Sequence, residues 1–527
     1  MTTIDWIIVV VYSICVIGIG YLIGKKQKNQ ADYYIASQKA SAWLTGSSLA
    51  ANQVSAISLI GVPAFIAAKH NGGLKWLQYE LALPLSMIVL VLFVIPAFRS
   101  YHSFSIYEWL HKRFGMQTRI VLAMVFLISR SLATGVAIVA TSYVVSVLIG
   151  LDIYVSIISI SLISLIYTSI GGILADIYTD VMQLAILIFS TVLFCGIIIY
   201  SINGQTAFHI DYQRLKIFNV ASFGIMDGNT FSLAPMLCGG FFLYISYYGF
   251  DQSQAQRFLS CENTNAAQMA VIINTIIRFI IVLLYSFLGV LLLLLLSVDN
   301  RLQLILSNQQ PDMLIPTFIK HYIPAGLKGV VVSGILAASM SSMDSAINSL
   351  SAITYNDALK IACQKLASIS DKVKLLLSRL LTVFWGIITT LFAIIFAGSS
   401  ETVVELVNKI GSLLYGPICA VFIIGMITKK KIHQFAIIGG FITGILINVF
   451  IWQFLPSVSW MWWNATGFVA AILFPVIFSV FTDSGYISDS SYNLKTIPKS
   501  AWFKAIVLVM WFMAIIGFYI IIENVFQ

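Results

Sequence analysis

Charged residues are scarce in this chain. Asp, Glu, Lys and Arg make up only 10% of its 527 residues, whereas hydrophobic residues make up 59%. Soluble domains carry about 25% charged residues, and one water-soluble core could not bury so much apolar surface. The composition excludes a cytosolic enzyme, a nucleic-acid-binding protein and a secreted disulfide scaffold. It predicts that most of the chain lies in a lipid bilayer.

Motifs for disulfide, metal and nucleotide chemistry are also missing. The six cysteines are scattered and form no CxxC pair, so we expect neither disulfides nor cysteine metal sites. The chain has no glycine-rich phosphate-binding loop. ATP-driven pumping would therefore need a partner subunit, and we expect a protein that is not an enzyme and requires no ATPase.

Fourteen apolar runs approach or exceed the length of about 20 residues that a spanning helix needs. They lie near 4–24, 43–68, 76–98, 119–149, 153–172, 176–200, 232–253, 266–297, 327–358, 376–398, 403–427, 433–453, 463–482 and 502–524. Lys and Arg concentrate in every second connection between these runs. We assign these connections, one of which contains Arg257, to the cytoplasmic side. This bias predicts both termini outside. Short connections suggest a bacterial inner (plasma) membrane.

The second run carries small and amide residues where a spanning helix is normally apolar. Asn52 and Gln53 lie in its middle, and Gly61 and Pro63 weaken the helical hydrogen bonds that follow. Within a membrane, freed carbonyls are tolerated only where they are buried in protein or line a cavity, and a cation is a natural partner for them. A small-residue packing face is the structural alternative.

The ninth run supplies hydroxyls. Ser341, Ser342 and Ser345 lie over about one helical turn, and hydroxyl oxygens suit a small hard cation. Asp344 is a carboxylate inside the same run, which favours a functional role. For any one serine, a hydrogen bond to its own helix backbone is the alternative. Four further ionisable residues lie in or next to the apolar runs: Glu80, Arg130, Asp180 and Arg278. We expect each either to line a cavity or to have a structural role, as a helix cap or as a side chain that extends to the membrane interface.

Short motifs in a fixed order resemble the sodium/solute symporter family, which includes sodium–glucose, sialic acid and proline transporters. The resemblance covers roughly residues 5–480, with motifs at 31–37, 106–114, 167–172, 178–183, 249–257, 341–348 and 416–429. It implies an all-α integral membrane protein with the LeuT-like fold and about 14 transmembrane helices. A leading helix at 4–24 would precede inverted five-helix repeats at 43–200 and 232–427, and three helices at 433–524 would follow.

The resemblance also implies sodium-driven symport and assigns ion ligands. The principal Na⁺ site would use the carbonyls of Ala51, Val54 and Ala338 and the hydroxyls of Ser341 and Ser342. A second cation site, present in some members, would use Asp180 and Ser345. Asp344 stands where some of those members have a serine. It would either strengthen that second site or share a proton with Asp180.

By the same resemblance, the solute pocket lies between the two interrupted spans. Its residues would be Gln53, Ser55, Ser58, Glu80, Arg130, Tyr244, Tyr247, Tyr248, Arg278 and Asn408. A Glu acceptor beside an Arg donor favours a sugar or sugar-acid solute, with a monocarboxylate or amino acid as the alternative. A sodium channel would need no such pocket. The expected partners are a small-molecule solute, sodium and the lipid bilayer, without nucleic acid.

Overall fold

The computed structural model describes residues 1–54, 56–100, 104–205, 208, 211–225, 231–306, 311–363, 366, 368–397, 403–428, 432–479 and 497–526, without the side chains at 56, 57, 312, 403–410 and 526. Regular structure within these residues is helical, apart from one backbone bridge between Ala40 and Cys261. The prediction of an all-helical protein is confirmed for this part of the chain.

Besides short 3₁₀ helices at Ala36–Gln38 and Tyr212–Leu215, the first half of the chain forms ten helices within the described ranges. They are α1 (Thr3–Gly24), α2 (Gln30–Ile35), α3 (Ala42–Gln53), α4 (Ala56–Ala67), α5 (Leu74–Arg99), α6 (Ile106–Phe114), α7 (Met116–Ile149), α8 (Ile153–Ile202), α9 (Leu233–Phe250) and α10 (Gln252–Leu259). Part of α5 is 3₁₀-helical, and both α5 and α9 contain a π-helical turn, which often marks a functional region.

Besides a short 3₁₀ helix at Pro311–Met313, the second half contributes nine more helices to the described part. They are α11 (Thr264–Val298), α12 (Asn300–Leu306), α13 (Leu314–Tyr322), α14 (Leu327–Ala362), α15 (Asp371–Phe396), α16 (Val403–Ile427), α17 (Gln434–Phe454), α18 (Trp462–Phe478) and α19 (Lys499–Phe526). Among all described helices, ten are long and apolar enough to cross a membrane, or eleven when the bent α3–α4 pair counts as one span.

Three breaks interrupt the long helices. Val54, after α3, has φ −81° and ψ 79°, and the axes of Ala42–Gln53 and Ser58–Ala67 differ by 56°. Gly172 bends α8 with φ 58°, and a Cβ there would lie 2.6 Å from the carbonyl oxygen of Tyr33, so the bend requires glycine. Asp251 separates α9 from α10 and accepts a hydrogen bond from the Ser253 amide at 2.8 Å.

Helix α14 lies at the centre of the bundle. In the 18-residue apolar stretch of α14, 89% is buried inside the protein. The corresponding fraction is 22% for α15 and for α19, which lie at the outside of the bundle. Small side chains such as Gly334, Ala337 and Ala338 permit close approach by neighbouring helices, and α14 packs against α1, α3, α7 and α8. Its serines therefore lie inside the bundle.

Candidate ion and solute sites

The break after α3 faces the serine-rich part of α14. The Ser342 hydroxyl donates to the carbonyl oxygen of Asn52 at 3.1 Å. Ala51 and Val54 are buried on either side of that contact, and Ala338 lies one turn before Ser342 on α14. The structure thus brings the interrupted helix end and the hydroxyl-bearing helix together, as the predicted Na⁺ site requires.

The groups at this junction suit a sodium ion. Carbonyls at the end of a helix lack intrahelical partners. The side-chain amide of Asn52 is buried, and within the described residues neither its oxygen nor its nitrogen is hydrogen-bonded, while Gln53 Oε1 is likewise buried without a partner there. Neutral hard oxygens with unused lone pairs are the ligands such an ion prefers. The Asn52 side chain was not among the predicted ligands.

Ser341 takes a different partner from Ser342. Its hydroxyl donates to Oδ1 of Asp180 on α8. The Ser48 hydroxyl on α3 donates to Oδ2 of the same carboxylate. Of the two hydroxyls predicted at the principal Na⁺ site, only Ser342 therefore contacts the broken helix directly.

Asp180 also forms a buried ion pair with Arg257 on α10. The guanidinium Nη2 lies 2.7 Å from Asp180 Oδ2, and the side chains of both residues are fully buried. The same nitrogen donates to the Ser345 hydroxyl, and Nε donates to Ser48 Oγ at 2.7 Å. The cluster joins α3, α8, α10 and α14 through charge-assisted hydrogen bonds, which are stronger than neutral ones.

Asp344 lies outside this cluster. One of its carboxylate oxygens accepts from the Ser164 hydroxyl on α8, and the other is buried without a hydrogen-bond partner. Asp180 and Asp344, predicted as a shared second cation site, therefore take separate partners in this structure.

Glu80 and Arg278 form a second buried ion pair, between α5 and α11. The guanidinium donates through Nε to Oε2 at 2.9 Å and through Nη2 to Oε1 at 2.8 Å. Nη2 also donates to the Tyr244 hydroxyl at 2.8 Å, and the guanidinium lies 5.0 Å from the centre of that ring. This fork geometry neutralises both charges and fixes the phenol between them.

Tyrosine rings in tilted and edge-to-face contact lead from this ion pair toward a third ion pair, Arg130–Asp251. Ring centroids are 5.0 Å apart for Tyr79–Tyr244, 6.2 Å for Tyr244–Tyr248 and 5.3 Å for Tyr247–Tyr248. Such edge-to-face and tilted contacts hold the rings in fixed positions.

Beyond Tyr247, Arg130 Nη1 lies 3.3 Å from Asp251 Oδ2, and Arg130 Nε is buried without a hydrogen-bond partner. Gln254 donates to the Tyr247 hydroxyl at 2.8 Å. The structure therefore places five of the predicted solute residues along one path: Glu80, Arg278, Tyr244, Tyr248 and Tyr247, with Arg130 beyond its end.

The structure does not place the other predicted solute residues on this path. Gln53 is half-buried at the end of α3, and Ser58 lies on the first turns of α4. Ser55 and the side chain of Asn408 lie outside the described residues, although position 408 is on α16.

A basic cavity opens near the ends of α4 and α5. It has a volume of about 430 Å³, and its lining includes His70, Lys75, Arg214 and Lys216, with Asp211 as the acidic member. Next to Lys75 in sequence, the Trp76 ring lies 5.8 Å from the ring of Tyr79, which in turn lies 5.0 Å from that of Tyr244. The predicted topology places this cavity outside the cell, where positive charge would concentrate anions.

Arg257 is buried on a helix, which was not predicted from the sequence. It was assigned to a cytoplasmic connection, yet its side chain is fully buried. Three other arginines are also buried, and they contact protein groups: Arg99, Arg113 and Arg119. The burial of Arg257 was not predicted because α10 is short and mostly polar, a composition typical of a loop. The signal that could have found Arg257 was the 249–257 motif itself.

Comparison with known proteins agrees with this architecture. A family model described as "Sodium:solute symporter family" matches residues 33–444. The sodium/iodide cotransporter of Homo sapiens is 24% identical over 78% of this chain, which spans 63% of that protein's length. The sodium/sialic acid symporter SiaT of Proteus mirabilis is 25% identical over 83% of this chain and 86% of its own.

A solved structure shares the fold. It is a substrate-bound, outward-open Na⁺-coupled sialic acid symporter with a TM-score of 0.81 and 22% identity, covering 92% of this chain and 100% of that one. At this identity the likeness establishes the fold alone. Together with the family match over most of the chain, it leads to one conclusion: this protein belongs to the sodium:solute symporter family.

Proposed function

We propose that this sodium-coupled symporter imports a sugar or sugar-acid solute by alternating access. The observation that carries the proposal is the path formed by the buried Glu80–Arg278 pair and three tyrosines, Tyr244, Tyr248 and Tyr247. Paired acceptor and donor groups match hydroxyls, and tyrosine rings match the faces of a sugar ring. The basic outer cavity favours the acidic form of such a solute.

Sodium would couple to solute through the junction of α3 and α14. The carbonyls of Ala51, Val54 and Ala338 and the Ser342 hydroxyl would hold the ion, with the Asn52 amide oxygen as a further ligand. An ion bound between two helices stabilises the conformation in which both halves of its shell meet. That difference in affinity lets sodium shift the conformational balance, and its gradient then drives import.

We further propose the complete membrane arrangement: fourteen spans, both termini outside and a plasma-membrane location. The bend at Gly172 would divide α8 into two spans, and α16 and α18 would complete the count. Each inverted repeat, 43–200 and 232–427, would then begin with an interrupted helix, at Val54 and at Asp251. Interrupted helices at corresponding positions of two repeats are typical of secondary transporters.

A thermal-shift screen of the purified protein tests the function. The probes are a hexose, a hexuronate, sialic acid, lactate and proline, each with sodium and with potassium. A ligand at about 100 times its Kd stabilises the folded state by about 2.7 kcal/mol, a readily measured shift. We expect a sodium-dependent shift with the hexuronate or sialic acid. A shift with lactate or proline alone would favour the monocarboxylate or amino-acid alternative. Sodium-independent shifts would contradict coupling.

A further inference from the structure

The basic cavity lies beside the end of a helix that faces lipid. Its lining residue Phe218 contacts the ring of Tyr519 on α19, with the ring centroids 6.3 Å apart. With 28 residues, α19 is about 42 Å long, which matches a bilayer including its headgroups. Tyr519 lies about 10 Å before the last residue of this helix, Phe526. The predicted topology therefore places the cavity at the level of the outer lipid headgroups.

The segment 211–225 contributes to the cavity and has the side chains of a membrane-surface segment. Leu215 and Ile217 are buried in the core and anchor the segment, while Lys216 between them is exposed. Phe223 is 69% exposed. A segment that exposes basic and large apolar side chains together suits the membrane–water interface, because headgroups and acyl chains are both within reach there.

Hydrogen bonds fix this segment to the start of α18. The Trp462 indole donates to the Phe223 carbonyl oxygen at 2.8 Å, and the Ser459 amide donates to the Gly224 carbonyl oxygen at 2.9 Å. Tryptophan is enriched at membrane–water interfaces. The segment is therefore held in place beside a residue type that marks the headgroup level.

The protein leaves positive charge in the cavity uncompensated. Arg214 lies 3.9 Å from Asp211 and caps two carbonyl oxygens at the end of α4, at 3.1 and 3.0 Å. The side chains of Lys75 and Lys216 have neither an ion-pair nor a hydrogen-bond partner within the described residues. Basic pockets next to spanning helices suit the phosphate of an anionic lipid, which supplies the missing counter-charge.

We propose that the basic cavity binds the headgroup of an anionic phospholipid of the outer leaflet, with Lys75 and Lys216 paired to its phosphate. The volume of about 430 Å³ lies in the range of small-molecule sites and so leaves room for more than an inorganic anion. The proposal goes beyond the proposed function, which needs no lipid ligand. In a bilayer without anionic lipid, the same charges remain available to attract an acidic solute.

Native mass spectrometry of the full-length protein tests the site, with phosphatidylglycerol and phosphatidylcholine of the same acyl chains as probes. Each lysine near an anionic lipid contributes about fivefold to its affinity. At one lipid concentration we therefore expect the wild type to carry one phosphatidylglycerol more than Lys75→Gln/Lys216→Gln, and an equal number of phosphatidylcholines. Arg214 stays in place because it caps α4. Size-exclusion profiles and helical content verify that the variant is folded.

The variant Lys320→Gln/Lys328→Gln is the matched control, since it removes two lysines outside the cavity. It should carry as many phosphatidylglycerols as the wild type. Equal phosphatidylglycerol numbers in the wild type and the folded cavity variant would overturn the proposal. The same loss in the control variant would also overturn it, because any two lysines would then have the same effect.

Glycerol 3-phosphate and glucuronate, each in excess over the lipid, distinguish a lipid from a free anion. Neither should displace the phosphatidylglycerol that the cavity variant lacks, because acyl chains against the protein add affinity that a free anion does not have. Displacement by glycerol 3-phosphate would show that the cavity binds a free phosphate ester, and displacement by glucuronate that it binds a free carboxylate. Either result would overturn the assignment to a lipid.

Discussion

The Glu80–Arg278 and Asp180–Arg257 pairs join the same two kinds of charge, but their neighbours differ. Tyr244 binds to the first pair with its hydroxyl and its ring. Serine hydroxyls from α3 and α14 surround the second. Rings beside a charge pair suit a solute with an apolar face and polar edges, whereas small hydroxyls suit an ion or a guanidinium. The residues around each ion pair, and not the pair itself, therefore indicate whether the site suits a solute or an ion.

Burial separates the pairs as well. Arg257 and Asp180 have no exposed side-chain surface, whereas 9% of the Arg278 side chain is exposed. When one partner of a fully buried pair is lost, water cannot take its place, and the remaining charge stays uncompensated. The serine-lined pair should therefore matter most for stability, and the tyrosine-lined pair most for solute binding. The following predictions test that contrast, in order of decreasing effect.

Asp180→Ala should cause the largest loss of stability. It removes the carboxylate that is hydrogen-bonded to the buried Arg257 guanidinium, and breaking a buried pair costs roughly 3–5 kcal/mol in comparable cases. Denaturant unfolding in detergent micelles measures this loss. Asp211→Ala, at an exposed carboxylate of the basic cavity that caps a short 3₁₀ helix, is the matched control and should change stability by about 1 kcal/mol or less. Equal effects of the two variants would show that the buried pair does not stabilise the bundle.

Glu80→Gln should reduce solute affinity while leaving sodium affinity nearly unchanged. The amide keeps the shape of Glu80 but removes the charge that orients Arg278, and a lost charge-assisted hydrogen bond corresponds to about a tenfold weaker Kd or more. Solute and sodium titrations of thermal stability measure both quantities. If solute affinity stayed the same for every compound in the screen, Glu80 would have only a structural role.

Tyr244→Phe should have an intermediate effect. It keeps the ring over the guanidinium but removes the hydroxyl that bonds Arg278 at 2.8 Å, a loss worth about 1 kcal/mol. The solute Kd is expected to rise about fivefold. Tyr143→Phe on α7, whose hydroxyl donates to the Ala397 carbonyl oxygen, serves as the control. A similar change in solute Kd for both variants would contradict a specific role for Tyr244.

Lys216→Gln in the basic cavity should have the smallest effect. Lys216 is exposed, so its charge acts over distance and is screened by salt. For an acidic solute, uptake at low salt should show about a twofold higher KM with unchanged kcat, and the difference should vanish at high salt. Lys320→Gln, outside the cavity, is the control. A persistent difference at high salt would argue against long-range attraction.

Several features of the fold could be predicted from sequence because they depend on local patterns. Small and amide residues in the second run predicted an interrupted helix, although the break lies at Val54 and Gly61 and Pro63 lie inside α4. The serines after Met340 predicted a polar face on α14. Both features arise from neighbouring residues on one helix. The family motifs added the order of the helices, which no local pattern contains.

The partners of charged residues could not be predicted in the same way. Glu80 and Arg278 were both expected in the solute pocket, but their bidentate contact depends on how α5 packs against α11. Arg257 was placed in a loop because a short polar helix has the composition of one. Whether such a helix is exposed or buried is decided by tertiary packing, which sequence periodicity does not record.

The junction of α3 and α14 is tested most directly by sodium titration of thermal stability in wild type, Ser342→Ala and Ser333→Ala. Ser333 lies on the same helix and donates to its own backbone, so its loss should not affect the ion. We expect Ser333→Ala to match the wild type and Ser342→Ala to need about tenfold more sodium for the same stabilisation. If all three proteins respond to sodium alike, the ion does not bind at this junction.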